Sequence, residues 1–303
     1  MKNLRADVDL VAAPLTFGRR MPQAIADYVA LTKPRLNVLV VATSAAGYYL
    51  GAPAGSALLP MVEAVAGTAL VAAGAAVLNQ VYERDTDAMM ERTRHRPIPD
   101  GRVSLEDARA FGIVVAGMGL AVLLLSSWAA FLLAAITIAV YVMVYTPMKR
   151  RSAAATLVGA IPGALPPLIG WSAATGNMSA GGWALFAIVF LWQIPHFMAI
   201  AWLFRDDYAR AGFPMLPVVE RDGRKTGRQA VLYAAALVPV SLMPTVLGVT
   251  GAAYFWAAMV LGGALFTLAS RFAVRRDDRT ARWLFYASIT YLPLLWAAMI
   301  LDH

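Results

Sequence analysis

The chain has 303 residues, 60% hydrophobic and 15% charged, with a formal net charge of +8 and no cysteine. Soluble domains are nearer half apolar and about a quarter charged, so this composition argues against a water-soluble globule. The lack of cysteine excludes disulfide frameworks, thiolate nucleophiles and Cys-ligated clusters.

Residues 1–35 mix Asp7, Asp9 and Asp27 with basic residues and hold no apolar signal-peptide core. They read as a short cytoplasmic arm. Beyond them, apolar runs recur near the length that crosses a hydrocarbon core of roughly 30 Å. Spans are expected at 36–56, 58–80, 108–127, 128–147, 153–175, 181–203, 230–249, 251–271 and 281–301. The fold class is therefore an all-α integral membrane protein of about nine transmembrane helices, with 36–303 as a single domain. Only Ser126, Ser127 and Trp128 mark the break between the third and fourth spans. Gly, Ala, Ser and Thr are dense in spans two and five, which predicts close helix approach. Pro162, Pro166 and Pro167 predict a kink in span five.

All 26 Lys and Arg lie in alternate connections or at the helix starts beside them, from Lys2 in the arm to Arg282 at the last span. The positive-inside rule then puts the N-terminus in the cytoplasm and, with nine spans, His303 outside. The positive balance is thus topological and not a nucleic-acid footprint. Trp128, Trp171, Trp183 and Trp256 fall near outer helix ends, as an interfacial aromatic belt would. Glu63 lies near the outer end of span two, far from the polar loops.

Polar chemistry concentrates in two inner connections. The first, NQVYERDTDAMMERTRHRP, places Asn79, Glu83 and Asp87 at i, i+4 and i+8. On a helix these drift only ~40° per step and span roughly 12 Å, so the three share one face, with Asp85 off it. Hard oxygen ligands suit Mg²⁺, which commonly binds one or two carboxylates plus a substrate phosphate. Arg92, Arg94 and Arg96 follow and offer forked donors to phosphate. Downstream, Ser104 and Asp107 form a capping pair that opens the next helix. The bland alternative for the acidic run is a solvated helix end laced with salt bridges.

The second connection follows WQIPHF. Gln193 and His196 lie inside an apolar span, where ionisable groups are functional candidates. His196 is open to three readings: a haem-iron ligand, a hydrogen-bond donor facing the cavity of Asn79, or a bridge between helices. Residue chemistry alone favours the bridge. Asp206, Asp207 and Arg210 sit at the inner helix end as candidates for a second metal or a diphosphate contact. Lys149, Arg150 and Arg151 in YTPMKRR, and Lys33 with Arg35 before the first span, either set topology or close over a phosphate. Spans two and six both end in an acidic, Arg-containing segment followed by a Pro-rich stretch, which hints at an internal duplication.

These motifs resemble the UbiA superfamily of membrane prenyltransferases, from about Asp27 to the last helix. The strongest pieces are LTKPR, ALNQVYERDTDAMMERTRHRPIP, YTPMKRR, GALPPLIGW, WQIPHF and DDYARAGFPMLPVV. The superfamily's first acidic motif reads here with Asn79, Gln80, Glu83 and Asp87. Its Gln and Glu variants resemble the haem-modifying branch and not the quinone branch. The resemblance implies farnesyl transfer from farnesyl diphosphate to a vinyl group of protohaem IX (haem B), giving haem O for haem-copper oxidases. It implies Mg²⁺ as cofactor on Asn79, Glu83, Asp87 and Asp206, with Arg92, Arg96 and Lys149 as catalytic contacts. It further implies Lys33, Arg35, Arg150, Asp207, Gln193 and His196 as ligand-binding residues. A bacterial inner membrane, a site toward the cytoplasm, and haem A synthase or oxidase assembly factors as partners follow from the same resemblance. Two departures stand out. Ala155 replaces an Asn common among relatives, and the second acidic motif is reduced to adjacent Asp206 and Asp207. A quinone-precursor prenyltransferase and a non-catalytic transporter are the competing readings. Carboxylates pooled at one helix end favour catalysis, since a transporter more often places polar groups near the midplane.

Overall fold

The computed structural model describes residues 23–303, so the first part of the arm lies outside the described residues. Helix α1 (Gln23–Leu31) precedes α2 (Pro34–Gly51), which opens with Pro at its first position after a left-handed Lys33. Proline is favoured there because its missing N–H has no helical partner anyway. The expected arm is structured over α1. Gln80 Nε2 donates to Leu31 O at 2.6 Å, and Arg102 pairs with buried Asp27 at 3.0 Å.

Helix α3 (Leu58–Met89) has 32 residues. At 1.5 Å per residue it is roughly 48 Å long, more than a hydrocarbon core spans. Its C-terminal end therefore carries the acidic run out of the apolar slab as continuous helix, well beyond the expected end at residue 80. Helix α4 (Leu105–Ser126) starts where Ser104 Oγ accepts from Asp107 N at 3.0 Å. The 127/128 break is real. Ser127 is extended, and its side chain caps α5 (Trp128–Ala139) by accepting from Ala130 N. A π-helical turn (Val140–Tyr145) and α6 (Thr146–Met148) complete that rod.

Helix α7 (Ala155–Thr175) runs through Pro162, Pro166 and Pro167 without ending. Helices α8 (Ala180–Leu203), α9 (Arg205–Arg210) and α10 (Leu216–Val219) follow. Next come α11 (Arg224–Ser241), α12 (Met243–Val246), α13 (Ala252–Arg275) and α14 (Asp278–Leu301). The two acid-bearing segments behind the hinted duplication are built differently. The acids after span two continue α3, whereas α8 stops at Leu203 and the second acidic pair belongs to a separate short helix.

Eight helices are long and apolar enough to cross a membrane among the described residues. The one expected span outside these eight, the first, is α2, which has 18 residues and a polar first turn containing Arg35 and Asn37. It packs along α7 and α3. Small residues set these contacts. A Cβ on Gly47 would overlap the backbone oxygen of Pro167, and one on Gly170 that of Ser44, so α2 and α7 touch backbone to backbone. Gly74 and Gly119 do the same between α3 and α4. Helices α7 and α8 are central, with 61% of their apolar windows buried against 22% for Trp128–Met148. The outward surface is apolar, with Leu58, Leu125 and Val260 exposed, as lipid contact requires. Trp128, Trp183 and Trp256 share that exposure. Trp171 does not: it is buried over Gly181 and Gly182, and its Nε1 donates to Ser179.

Candidate active site

The C-terminal part of α3 presents Asn79, Glu83 and Asp87 on one face. All three are buried, at 1%, 6% and 1% exposure, and line one cavity of about 290 Å³. Asp85 is exposed on the far side of the helix. The spacing expected from the sequence therefore holds in space.

Each member of the stripe meets a different cation. Lys33 Nζ donates to Asn79 Oδ1 at 3.2 Å, Lys149 Nζ to Glu83 Oε1 at 2.8 Å, and Arg96 Nη1 to Asp87 Oδ2 at 2.7 Å. Asn79 Nδ2 donates to Thr146 Oγ1 at 3.1 Å. Asp87 Oδ1 is buried without a hydrogen-bond partner. The left-handed Lys33, at φ 49°, turns the chain between α1 and α2 next to the stripe. The turn Thr93–Arg96 is pinned by Thr93 Oγ1 donating to Asp87 O at 2.8 Å, which fixes where Arg96 enters.

The opposite wall comes from α9 and the segment after it. Arg92 lies 5.2 Å from the Tyr208 ring centroid, donates to Tyr208 OH at 3.3 Å, and pairs with Asp207 at 3.7 Å. Asp207 also accepts from Arg210 at 2.7 Å. The π turn brings Tyr141 and Tyr145 to the cavity, and Lys149 Nζ sits 4.9 Å from the Tyr145 ring. Leu36, Phe197, Ile200 and Met215 make the apolar side.

Electrostatics separate the two lysines. Burial pushes the Lys33 ammonium down to about 7, helped by Arg96 and Lys149 nearby. Burial also opposes charge on Lys149, but Tyr145 and Glu83 outweigh it and hold Lys149 above its ordinary value. Four basic residues (Lys33, Arg92, Arg96, Lys149) and two carboxylates (Glu83, Asp87) line the cavity. With all of them charged, the surplus is two positive charges. That balance suits an anion of higher charge arriving with a divalent metal.

Several sequence candidates lie elsewhere. Arg35 and Arg150 are exposed and do not line the cavity, and the same is true of Asp206. Of the four expected metal ligands, the three on α3 share the cavity and Asp206 stands outside it. No three His, Asp or Glu residues converge as a ready metal cluster among the described residues. His196 faces α14, where its ring lies between Trp192 and Phe285 and Nδ1 meets Ser288 Oγ at 2.8 Å. Gln193 is buried against Gly163, with Nε2 donating to Ala160 O and Val189 O. Both act as helix bridges, and their neighbour Phe197 is the residue that reaches the cavity. Sequence reasoning did not single out Tyr141, Tyr145, Tyr208 or Phe213. Tyr145 and Tyr208 stood inside conspicuous motifs, YTPMKRR and DDYARAGF. Tyr141 had no signal, because a π turn has no composition mark.

A membrane bundle with an acidic stripe ringed by cations at one end defines a class, and residues 40–293 match the family model described as the UbiA prenyltransferase family. The chain belongs to that family of membrane prenyltransferases. It is 46% identical over 291 residues to the protoheme IX farnesyltransferase of Solibacter usitatus, covering 91% of this chain and 98% of that protein. It is 44% identical to the protoheme IX farnesyltransferase of Koribacter versatilis, covering 97% and 98%. Among solved structures it resembles a digeranylgeranylglyceryl phosphate synthase, with TM-score 0.80, 17% identity and coverage of 93% and 99%. A UbiA homolog from Archaeoglobus fulgidus, solved with GPP and Mg²⁺, gives TM-score 0.68 at 17% identity, covering 90% and 99%. At such identities the structures speak for the fold alone.

Proposed function

We propose that this protein transfers the farnesyl group of farnesyl diphosphate to a vinyl carbon of protohaem IX, forming haem O. The observation that carries this reading is the α3 stripe, in which an amide and two buried carboxylates are each met by a separate cation. The acceptor rests on the relatives named as protoheme IX farnesyltransferases, which match over nearly their whole length.

The stripe fits Mg²⁺. Its donors are hard oxygens, and Asp87 Oδ1 is a buried carboxylate oxygen still lacking a partner. Asn79, Glu83 and Asp87 would hold the ion, with phosphate oxygens completing its shell. Bound there, Mg²⁺ supplies positive charge against the departing diphosphate.

The chain's own residues do the rest. Lys33, Arg92, Arg96 and Lys149 hold phosphate oxygens while the allylic C–O bond breaks and both its electrons leave with the diphosphate. Donors preset in a site of low dielectric stabilise such charge by several kcal/mol. Tyr141, Tyr145 and Phe213 present ring faces that favour the allylic cation. Leu36, Phe197, Ile200 and Met215 guide the isoprenoid chain and keep water away. The vinyl carbon then bonds to the farnesyl carbon. The new cation takes a water oxygen and one proton leaves, so the product carries a hydroxyl.

Orientation follows from charge. With α2 as the first of nine crossings, every Lys and Arg falls on the cytoplasmic side of a bacterial inner membrane and His303 falls outside. The cavity then opens where water-soluble Mg²⁺ and the diphosphate head arrive. A direct test incubates membranes holding the protein with haem B and labelled farnesyl diphosphate, with and without a chelator. Label in a haem product only without chelator is expected. Label transfer unaffected by chelation would remove the metal from the proposal.

A further inference from the structure

The hairpin of α13 and α14 carries a second charged cleft that the transfer reaction does not use. Arg271 and Arg275 stand one turn apart on α13, and Arg279 lies in the first turn of α14. With Leu268, Thr280 and Trp283 they line a cleft of about 570 Å³. The connection is only Arg276 and Asp277. Arg276 takes a left-handed conformation at φ 52°, which folds Arg279 back beside Arg275. A non-glycine residue rarely adopts that conformation, so the backbone is committed to holding these cations close.

Like charges repel, and the neighbouring acids relieve them only in part: Asp277 feels the charge of Arg275 and Arg279 but forms no ion pair with either. Asp277 caps α14, its carboxylate accepting from Thr280 N at 2.7 Å and from Thr280 Oγ1 at 2.8 Å. Asp278 accepts from Trp202 Nε1 at 3.0 Å and Arg205 Nη1 at 2.9 Å. No ion pair holds Arg271, Arg275 or Arg279 among the described residues. All three are exposed. They present forked donors, which suit phosphate oxygens.

The surroundings identify the carrier of that phosphate. The cleft has an apolar floor in Leu268 and an indole wall in Trp283, which is 58% exposed. Phe266, Val274 and Tyr286 are exposed on the same two helices, as lipid-facing side chains are. Arg271 lies about 6 Å inside the end of α13, the depth at which an arginine snorkels to a headgroup. A soluble acidic peptide would match the guanidinium groups and leave the apolar flank uncovered. A phospholipid supplies a phosphate for the first and acyl chains for the second.

We propose that this cleft binds the headgroup of an anionic phospholipid at the cytoplasmic interface. The site is separate from the α3 stripe and does not depend on the identity of the acceptor. It is tied to the reaction end of the bundle, because Asp278 fastens the hairpin to Trp202 and Arg205, just before Asp207 and Tyr208.

The test uses the full chain in nanodiscs. Retention of phosphatidylglycerol against phosphatidylcholine is read by native mass spectrometry on the wild type, on Arg271→Gln/Arg275→Gln/Arg279→Gln, and on the control Arg221→Gln/Arg224→Gln/Arg228→Gln, which removes equal charge elsewhere. Loss of selective retention on the order of a hundredfold is expected in the cleft variant alone, each arginine contributing roughly fivefold near an anionic surface. Equal loss in the control, or none in the cleft variant, overturns the proposal. Inorganic phosphate at millimolar concentration is added in a parallel arm. If it displaces the lipid and protects the cleft alone, the site is a free-phosphate site and the lipid assignment is wrong. Should the triple variant fail to assemble, hydrogen exchange on the wild type decides. Protection of residues 271–283 in phosphatidylglycerol discs over phosphatidylcholine discs supports the site, and equal exchange refutes it.

Discussion

Asp87→Asn separates the stability of the stripe from its chemistry. The Asp87 side chain is 1% exposed; Oδ2 accepts from Arg96 at 2.7 Å and Oδ1 has no partner. A hydrogen bond to a charged group contributes about 1.5–3 kcal/mol, and an unsatisfied buried polar atom costs about 1–3 kcal/mol. In the ligand-free protein the two terms nearly cancel. The amide keeps the shape and one acceptor for Arg96, so stability should change by no more than about 1 kcal/mol. Turnover depends on the lost charge. Removing one preset electrostatic group costs on the order of 10²–10³ in rate. The assay pairs thermal unfolding in nanodiscs with mass-resolved product formation. Unchanged melting with turnover down at least about a hundredfold is the expected pattern. Near-normal turnover would refute the metal-ligand role of Asp87, and a large fall in melting temperature would refute the cancellation.

Lys33 gives a pH signature. Its folded value of about 7 lies below its ordinary 10.5. Between those values the unfolded chain binds the proton and the folded chain does not, so stability rises with pH across that window and the penalty is complete below 7. Lys33→Met should flatten the rise of melting temperature between neutral pH and pH 9, and an identical rise in both proteins contradicts the lowered value of Lys33. Gly170→Ala should destabilise by about 1–3 kcal/mol, because the added carbon meets the Ser44 backbone oxygen; unaltered melting would mean that α2 and α7 slide apart freely. His196→Ala should cost at least about 1 kcal/mol through the lost Ser288 contact and the lost ring packing against Trp192 and Phe285 and leave prenyl diphosphate affinity intact, measured by calorimetry with a non-hydrolysable analogue. Arg150→Gln should leave turnover unchanged, since Arg150 stands outside the cavity; a tenfold fall, about 1.4 kcal/mol, would return it to the site.

The sequence exposed those parts of the site whose physics is periodic. Asn79, Glu83 and Asp87 were legible because helical spacing puts i, i+4 and i+8 on one face. The Ser104 cap and the break at Ser127 were legible because capping chemistry is local. Apolar runs located the spans, but their inner ends were misjudged wherever a helix continues into polar residues, as α3 does to Met89. Direction around a helix was the second blind spot. His196 and Phe197 are neighbours in sequence, yet only Phe197 reaches the cavity, because α14 takes up the His196 side. Arg150 and Lys149 divide in the same way. The π turn that aims Tyr141 and Tyr145 has no composition signature at all, and Asp206 could be told from Asp207 only once α9 was in place.

The central claim is that this cavity prenylates haem. The most direct measurement supplies membranes holding the protein with farnesyl diphosphate, Mg²⁺, and haem B together with hydroxybenzoate, and resolves the products by mass. The account predicts a haem product heavier by one farnesyl group and one hydroxyl, with no prenylated hydroxybenzoate. Prenylated hydroxybenzoate without any modified haem would contradict it.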